Sequence, residues 1–277
     1  MNYSRSNFTN ISGVPKLRRA LVRSLCGFGN AHSLDHILSW LNHIRDENAV
    51  HIEPTSFSKL RQWYLDEDTG TLRHRSGGFF RIEGIQVKTT YGQVHQWEQP
   101  IVNQPEIGFL GVITKIINGT LHFLLQAKIE PGNINTVQIS PTLQATKSNY
   151  LKKHKGRSPK YLEYFQSPEK NIILDQLQSE QGARFLRKRN RNIIIYIEDD
   201  IEVEKAFCWV TLHQVCTLSQ KDNTVNMDTR TVLSGLQYGN IADDLSRDVL
   251  TPFKLDILKS EQGGKTLFSL EQIISWI

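Results

Sequence analysis

Gln126, Lys128 and Glu130 occupy every second position of "QAKIE". In an extended chain alternate side chains share a face, so an amide, an ammonium and a carboxylate emerge together. The polar run that follows, "PGNINTVQISPTLQATKSNY", reads as a turn and then a helix. Ser140 stands as its N-cap and Pro141 in its first position, and it is expected to run through Lys153 and stop at Gly156. Gln144 and Ser148 are four apart and share one side of that helix. Strand face and helix face together would make a polar pocket for a small molecule. On spacing alone the plainer alternative, a solvated sheet edge entering a capped helix, has the better claim.

The second candidate is "RFLRKRNRN", residues 184–192, just before the apolar "IIIYI". Arg187, Arg189 and Arg191 share one side of an extended segment. Guanidinium groups take phosphate oxygens in pairs, which suits a diphosphate. A nucleic-acid patch is the rival, weakened by the acidic "EDDIEVE" that follows and would repel a long polyanion. A solvated charged edge is the third reading.

Other chemistries lack their residues. The nine histidines show no HExxH or finger spacing, and no GxGxxG, Walker or GxSxG element is present. No metal ligand set and no nicotinamide or other cofactor is expected. Three cysteines, Cys26, Cys208 and Cys216, are too few and too scattered for a disulfide framework. Without an apolar run of 18 residues or an apolar leader, the chain is expected to be cytoplasmic and to cross no membrane. Its net charge of +5 over 277 residues is modest and does not choose between an anionic ligand and a nucleic acid.

These residues need a scaffold. Residues 1–30, basic and rich in Gly, Ser and Asn, read as a mobile arm. A helix capped by Ser33 follows, with Leu34, Ile37, Leu38, Leu41 and Ile44 in one stripe and Asp35 at its positive end. From about residue 70 the period shifts to strands in "GGFFRIEGIQVKTTYG" and "QVHQWEQPIV". Asn118-Gly119 marks a hairpin, with strands over about 107–117 and 120–130. Short helices are expected around "KYLEYF" and "NIILDQLQ", a strand at "RNIIIYIE", and closing helices at "WVTLHQVCTLS" and "NMDTRTVLSGL". That order is α+β rather than a regular βαβ alternation.

"SLDHILSWL" at 33–41 returns as "SLEQIISWI" at 269–277. Ser, an acid and Trp recur in place among the aliphatic positions, which points to an internal duplication. The domain expectation is therefore an arm (1–30), one module (31–238), and a linker with the opening helix of a second module (239–277). That terminal stripe would need a partner surface.

The segments "QWEQPIV", "EIGFLGVI", "NGTLHFLLQAKIEPGNINTVQISPTLQATKSNY", "YLEYF", "SEQGARFLRKRNRN" and "VNMDTRTVLSGL" resemble the NDP-hexose 2,3-dehydratases of deoxysugar biosynthesis, from about residue 33 to 237. The resemblance implies a Nudix-like mixed sheet with flanking helices. It also implies that usual members carry two such modules, where this chain shows one and the first helix of the next. It further implies a carbon–oxygen lyase acting on a dTDP-4-keto-6-deoxyhexose without a cofactor, upstream of a separate 3-ketoreductase. On that reading Glu130 is the base and Tyr150 the acid, with Tyr161 competing for the acid's part. Gln126, Lys128, Gln144 and Ser148 would surround the sugar with them. Arg187, Arg189 and Arg191 would contact the diphosphate, and Trp97, Asn149 and Asn190 would belong to the substrate-binding set. The carboxylates of a Nudix metal helix are replaced by "LQATKSNYLKK", so metal-dependent pyrophosphate cleavage is not expected. A homodimer, or a partner carrying the second module, is the expected assembly. The rival function is a silent nucleotide-sugar-binding module that needs an active partner.

Overall fold

Asn118 and Gly119 both hold left-handed φ angles, 50° and 75°. They turn the chain from β5 (Gly108–Ile117) into β6 (Thr120–Ile129), which is the hairpin their types predict. The computed structural model describes residues 15–146, 158–166 and 172–236. Within them the molecule is an α+β fold with a mixed sheet, as expected.

The hairpin forks. β5 and β6 pair with each other only from Ile113 and Leu124 towards the turn. Beyond that point they part, and β7 (Val137–Pro141) and β8 (Leu143–Ala145) fill the gap, β7 on β6 and β8 on β5. Thr142 sits at the crotch, where its hydroxyl accepts from Ile113 N at 3.0 Å and donates to the Leu124 carbonyl. This corrects the helix expected from Ser140: its described part is strand. Val137 and Ile139 enter one core and Leu143 and Ala145 the other, and two-sided burial outweighs the Ser-Pro start signal.

β10 (Arg189–Tyr196) adds to β5 in parallel and β9 (Ile172–Ser179) to β10 antiparallel, while β11 (Phe207–Thr211) closes the far side on β6. "NIILDQLQ" is therefore strand and not helix. "WVTLHQVCTLS" is half corrected, because strand runs to Thr211 before α4 (Leu212–Ser219) begins. The switch is a capping box: Gln214 N donates to Thr211 Oγ1, and Thr211 N to Gln214 Oε1.

One sheet face is covered by α1 (Pro15–Leu25), α2 (Leu34–Asp46), α4 and α5 (Met227–Ser234). The opposite face is covered by the turn leading into α3 (Glu163–Gln166), through Leu162 and Phe165. α2 keeps its expected cap and stripe, with Ser33 accepting from His36 N. The arm expected over residues 1–30 is corrected for its described part. Leu17, Ala20, Leu21 and Ser24 are buried at helical spacing, with Pro15 in the first turn, where its missing N–H costs nothing. A separate antiparallel sheet holds β1 (Trp63–Asp66), β2 (Thr71–His74), β3 (Arg81–Lys88) and β4 (Gln96–Asn103) in that order. No described helix is long and apolar enough to cross a membrane.

Candidate functional site

Where the fork opens, β6 runs out past Lys128 to Glu130, and β8 brings Gln144 against them. Gln144 Nε2 donates to Glu130 Oε1 at 3.0 Å, and Lys128 Nζ lies 3.9 Å from the same oxygen and 3.4 Å from the Gln144 carbonyl. Ser140 Oγ donates to Gln144 Oε1 at 2.7 Å, and Asn226 Nδ2 reaches both, which ties the cluster to α5. A cavity of about 260 Å3 lies over these groups, and Lys188, Asn190, Glu180 and Asp228 form its other wall. Lys188 donates to the Glu106 carbonyl, and Asn190 Nδ2 to Glu180 Oε1 at 2.6 Å.

A second cavity of about 220 Å3 adjoins the first and shares Leu110, Glu180, Asn190 and Asp228 with it. Its remaining wall is amide-rich, with Gln178, Gln181 and Asn192, and among the described residues it holds no lysine or arginine. Asn192 is fully buried. Its Nδ2 donates to Gln178 Oε1 at 2.6 Å, while its Oδ1 has no partner. A buried acceptor left unpaired is costly.

Burial shapes the charges. Desolvation, with Glu180 and Glu130 nearby, pushes the Asp228 carboxyl up to about 6, and Lys128 opposes that rise. Desolvation lowers Lys128 and Lys188 below the usual ammonium range, against the carboxylates beside each. Glu130 and Glu180 are each held by an amide N–H, whereas neither oxygen of Asp228 accepts a hydrogen bond from any described residue. A proton donor and a proton acceptor thus share one half-buried groove, the equipment for acid–base chemistry. Among the described residues no three His, Cys, Asp or Glu side chains are grouped as metal ligands.

Of the residues singled out in the sequence, Lys128, Glu130, Gln144 and Asn190 come together here. Gln126 is half-buried on β6 but lines neither cavity. The arginines lie outside the groove as well. β10 alternates, so Lys188, Asn190 and Asn192 face it, and Arg189 and Arg191 point to the other side. There Arg191 binds Asp175 through two nitrogens. Arg187 is exposed, at φ 51°. Trp97 stands on the separate sheet, its Nε1 bonded to Gln99. Tyr161, at φ 61°, packs in the opposite core. Its hydroxyl donates to the Glu202 carbonyl at 2.8 Å and accepts from Glu204 N at 3.0 Å. Ser148, Asn149 and Tyr150 lie outside the described residues.

Asp228, Glu180 and Lys188 were not singled out. The signal for Asp228 was its place in "VNMDTRTVL", two residues after the capping Asn226. For Lys188 it was the alternation of "KRNRN", which sets Lys188 with Asn190 and Asn192.

A family model described as NDP-hexose 2,3-dehydratase matches residues 34–236. Three curated proteins named dTDP-4-dehydro-6-deoxy-alpha-D-glucopyranose 2,3-dehydratase are similar to the chain. The one from Saccharopolyspora spinosa is 43% identical over 86% of this chain and 49% of its own length. The one from Amycolatopsis orientalis is 44% identical over 87% and 48%, and that from Streptomyces violaceoruber 49% identical over 67% and 42%. The chain spans about half the length of the curated relatives it matches. A solved structure titled "Crystal structure of ADP compounds hydrolase" aligns at TM-score 0.35 and 13% identity over 65% of this chain and 90% of that one, which is too low to carry an argument.

Proposed function

Because the chain belongs to the NDP-hexose 2,3-dehydratase family, we propose that its groove binds a dTDP-4-keto-6-deoxyhexose and eliminates the C2 hydroxyl without a metal or redox cofactor. The 4-keto group makes the C3 proton acidic. A carboxylate in the groove takes that proton, N–H donors such as Lys128 or Gln144 stabilise the enolate oxygen, and the C2 hydroxyl leaves as water once protonated. The enol left behind becomes a 3,4-diketo sugar, the substrate for a separate ketoreductase. The observation that carries this reading is the convergence of Lys128, Glu130 and Gln144 with Asp228 in one cavity. Three free cysteines suit a cytoplasmic enzyme.

The second reading is a nucleotide-sugar-binding module that needs an active partner, either a second copy or a chain carrying the second module. It draws on the span of about half the length of the relatives. Titration of the chain with dTDP-4-keto-6-deoxyglucose in chelator, followed by mass spectrometry, separates the two. Loss of one water supports the dehydratase, and binding without that loss supports the module. Absence of binding, or binding only with added metal, refutes both.

A further inference from the structure

Three carboxylates line the groove, and the chemistry needs one of them to act on the C3 proton. Glu130 is engaged by Gln144 and paired with Lys128, and Glu180 is engaged by Asn190. Each is thus already held by a partner's N–H. Asp228 is free of such donors among the described residues, and it lines both cavities at the wall they share. A ring lying across that wall would meet its carboxylate whichever cavity holds the rest of the ligand.

Its backbone is also held in place. Asn226 caps α5 by accepting from Thr229 N at 2.8 Å, and Asn226 N donates to the Ile139 carbonyl at 2.9 Å. Thr229 Oγ1 donates to that same carbonyl at 3.1 Å. Residues on both sides of Asp228 are therefore pinned to β7, which puts the carboxylate on a rigid element, as a proton-transfer group requires.

We infer that Asp228 is the catalytic base that takes the C3 proton of the bound 4-ketohexose. The assignment rests on the dehydratase reading above and names the group that reading left open. The C3–H bond breaks, its proton passes to a carboxylate oxygen of Asp228, and its electron pair moves into the C3–C4 bond with charge on the C4 oxygen. As that charge returns, the C2–O bond breaks and the departing oxygen takes a proton from the Lys128 ammonium, leaving as water. Transfer of the Asp228 proton to Lys128 through solvent restores both groups. The carboxyl's rise to about 6, caused first by burial, suits a base that is ionised near neutrality yet avid for a proton.

The test uses the full chain, dTDP-4-keto-6-deoxyglucose in deuterium oxide, and two readouts: calorimetric affinity and C3–H exchange by NMR. Wild type is expected to exchange C3. Asp228→Asn is expected to bind within about threefold of wild type and to exchange at least about 100-fold more slowly, the lower end for loss of a general base. A melting curve confirms that the variant is folded. Exchange retained within about tenfold in Asp228→Asn overturns the assignment. So does exchange abolished by Glu130→Gln but kept by Asp228→Asn, which gives the proton to Glu130. Wild type that binds but never exchanges C3 also overturns it. Wild type that does not bind the sugar nucleotide refutes the dehydratase reading itself, a result told apart from these by the calorimetry.

Discussion

Arg191 clasps Asp175 with two parallel bonds, Nε to Oδ1 at 2.7 Å and Nη2 to Oδ2 at 2.6 Å, joining β10 to β9 on the side away from the groove. The same guanidinium lies 5.3 Å from the Phe109 ring centroid. A side chain so engaged is part of the sheet's own stabilisation, although its sequence neighbours suggested a phosphate clamp. Arg191→Ala is expected to destabilise the fold by about 1–3 kcal/mol, the range for charge-assisted bonds at a partly buried site. Ligand affinity should be unchanged at temperatures where the variant is folded. A double-mutant cycle with Asp175→Ala measures the coupling, and a coupling near zero would refute this account.

Gly108 pairs with Asn190 across the parallel strands, and a Cβ at position 108 would stand 2.6 Å from Asn190 Oδ1. That is too close, so Asn190 must turn and release its bond to Glu180. Gly108→Ala should therefore weaken ligand binding through Asn190 and Glu180. The Gly108→Ala/Asn190→Ala double variant should bind no more weakly than Asn190→Ala alone. Additive losses in calorimetry would show that Gly108 acts by another route.

Much of the frame was legible because its signals are local. Asn118-Gly119 needs two left-handed residues and has them, and Ser33 with its apolar stripe needs one helix face to bury. The failures share a different cause. Ser140-Pro141 is a good helix start by local rules, yet here it fills a fork between two strands more than ten residues away in sequence. "NIILDQLQ" takes its strand form from β10. In the groove, Lys128 and Glu130 share a face by strand alternation, as the sequence indicates, whereas Gln144 reaches them from β8 and not from the expected helix. Asp228 was not legible, since it lies about a hundred residues from Lys128 and only the packing of α5 on β7 joins them. Alternation also located β10 but could not say which parity lines the groove, and Arg191 instead pairs with Asp175.

His122 is fully buried, with Nδ1 bonded to the Thr120 carbonyl at 2.9 Å and Nε2 accepting from Ala31 N at 3.1 Å. The ring is thus neutral, with its proton on Nδ1. Burial lowers its pKa, the Thr120 bond opposes this, and His32 adds to the lowering. A histidine harder to protonate when folded contributes stability that is full above its unfolded value near 6.5 and is lost as pH falls below it. The melting temperature should therefore drop between about pH 7 and pH 5. His32 shifts in the same direction, so His122→Gln should flatten that slope without abolishing it. A wild-type slope unchanged by His122→Gln would refute the assignment.

Asp228 should cost the fold stability, and the sign of its pH dependence is opposite to that of a paired carboxylate. Its carboxyl stands at about 6 in the folded chain, against 3.8 for an ordinary aspartate. Near pH 8 both folded and unfolded chains carry the charge, and the folded chain bears it half-buried beside Glu180 and Glu130. Between about pH 6 and pH 4 the folded chain takes up a proton first, and the penalty disappears. Asp228→Asn should thus raise stability near pH 8 by on the order of 1–3 kcal/mol, reduced where Lys128 loses an attractive partner. Near pH 5 the gain should be smaller. Lys188, on the same wall, is unchanged by the substitution and does not alter the sign. Melting curves of both proteins at the two pH values decide the matter. A variant more stable and less active is what a base held in a partly desolvated groove predicts, because that environment raises its proton affinity at the expense of the fold. A variant less stable near pH 8 would mean that the carboxylate is held by favourable contacts and is not poised to take a proton.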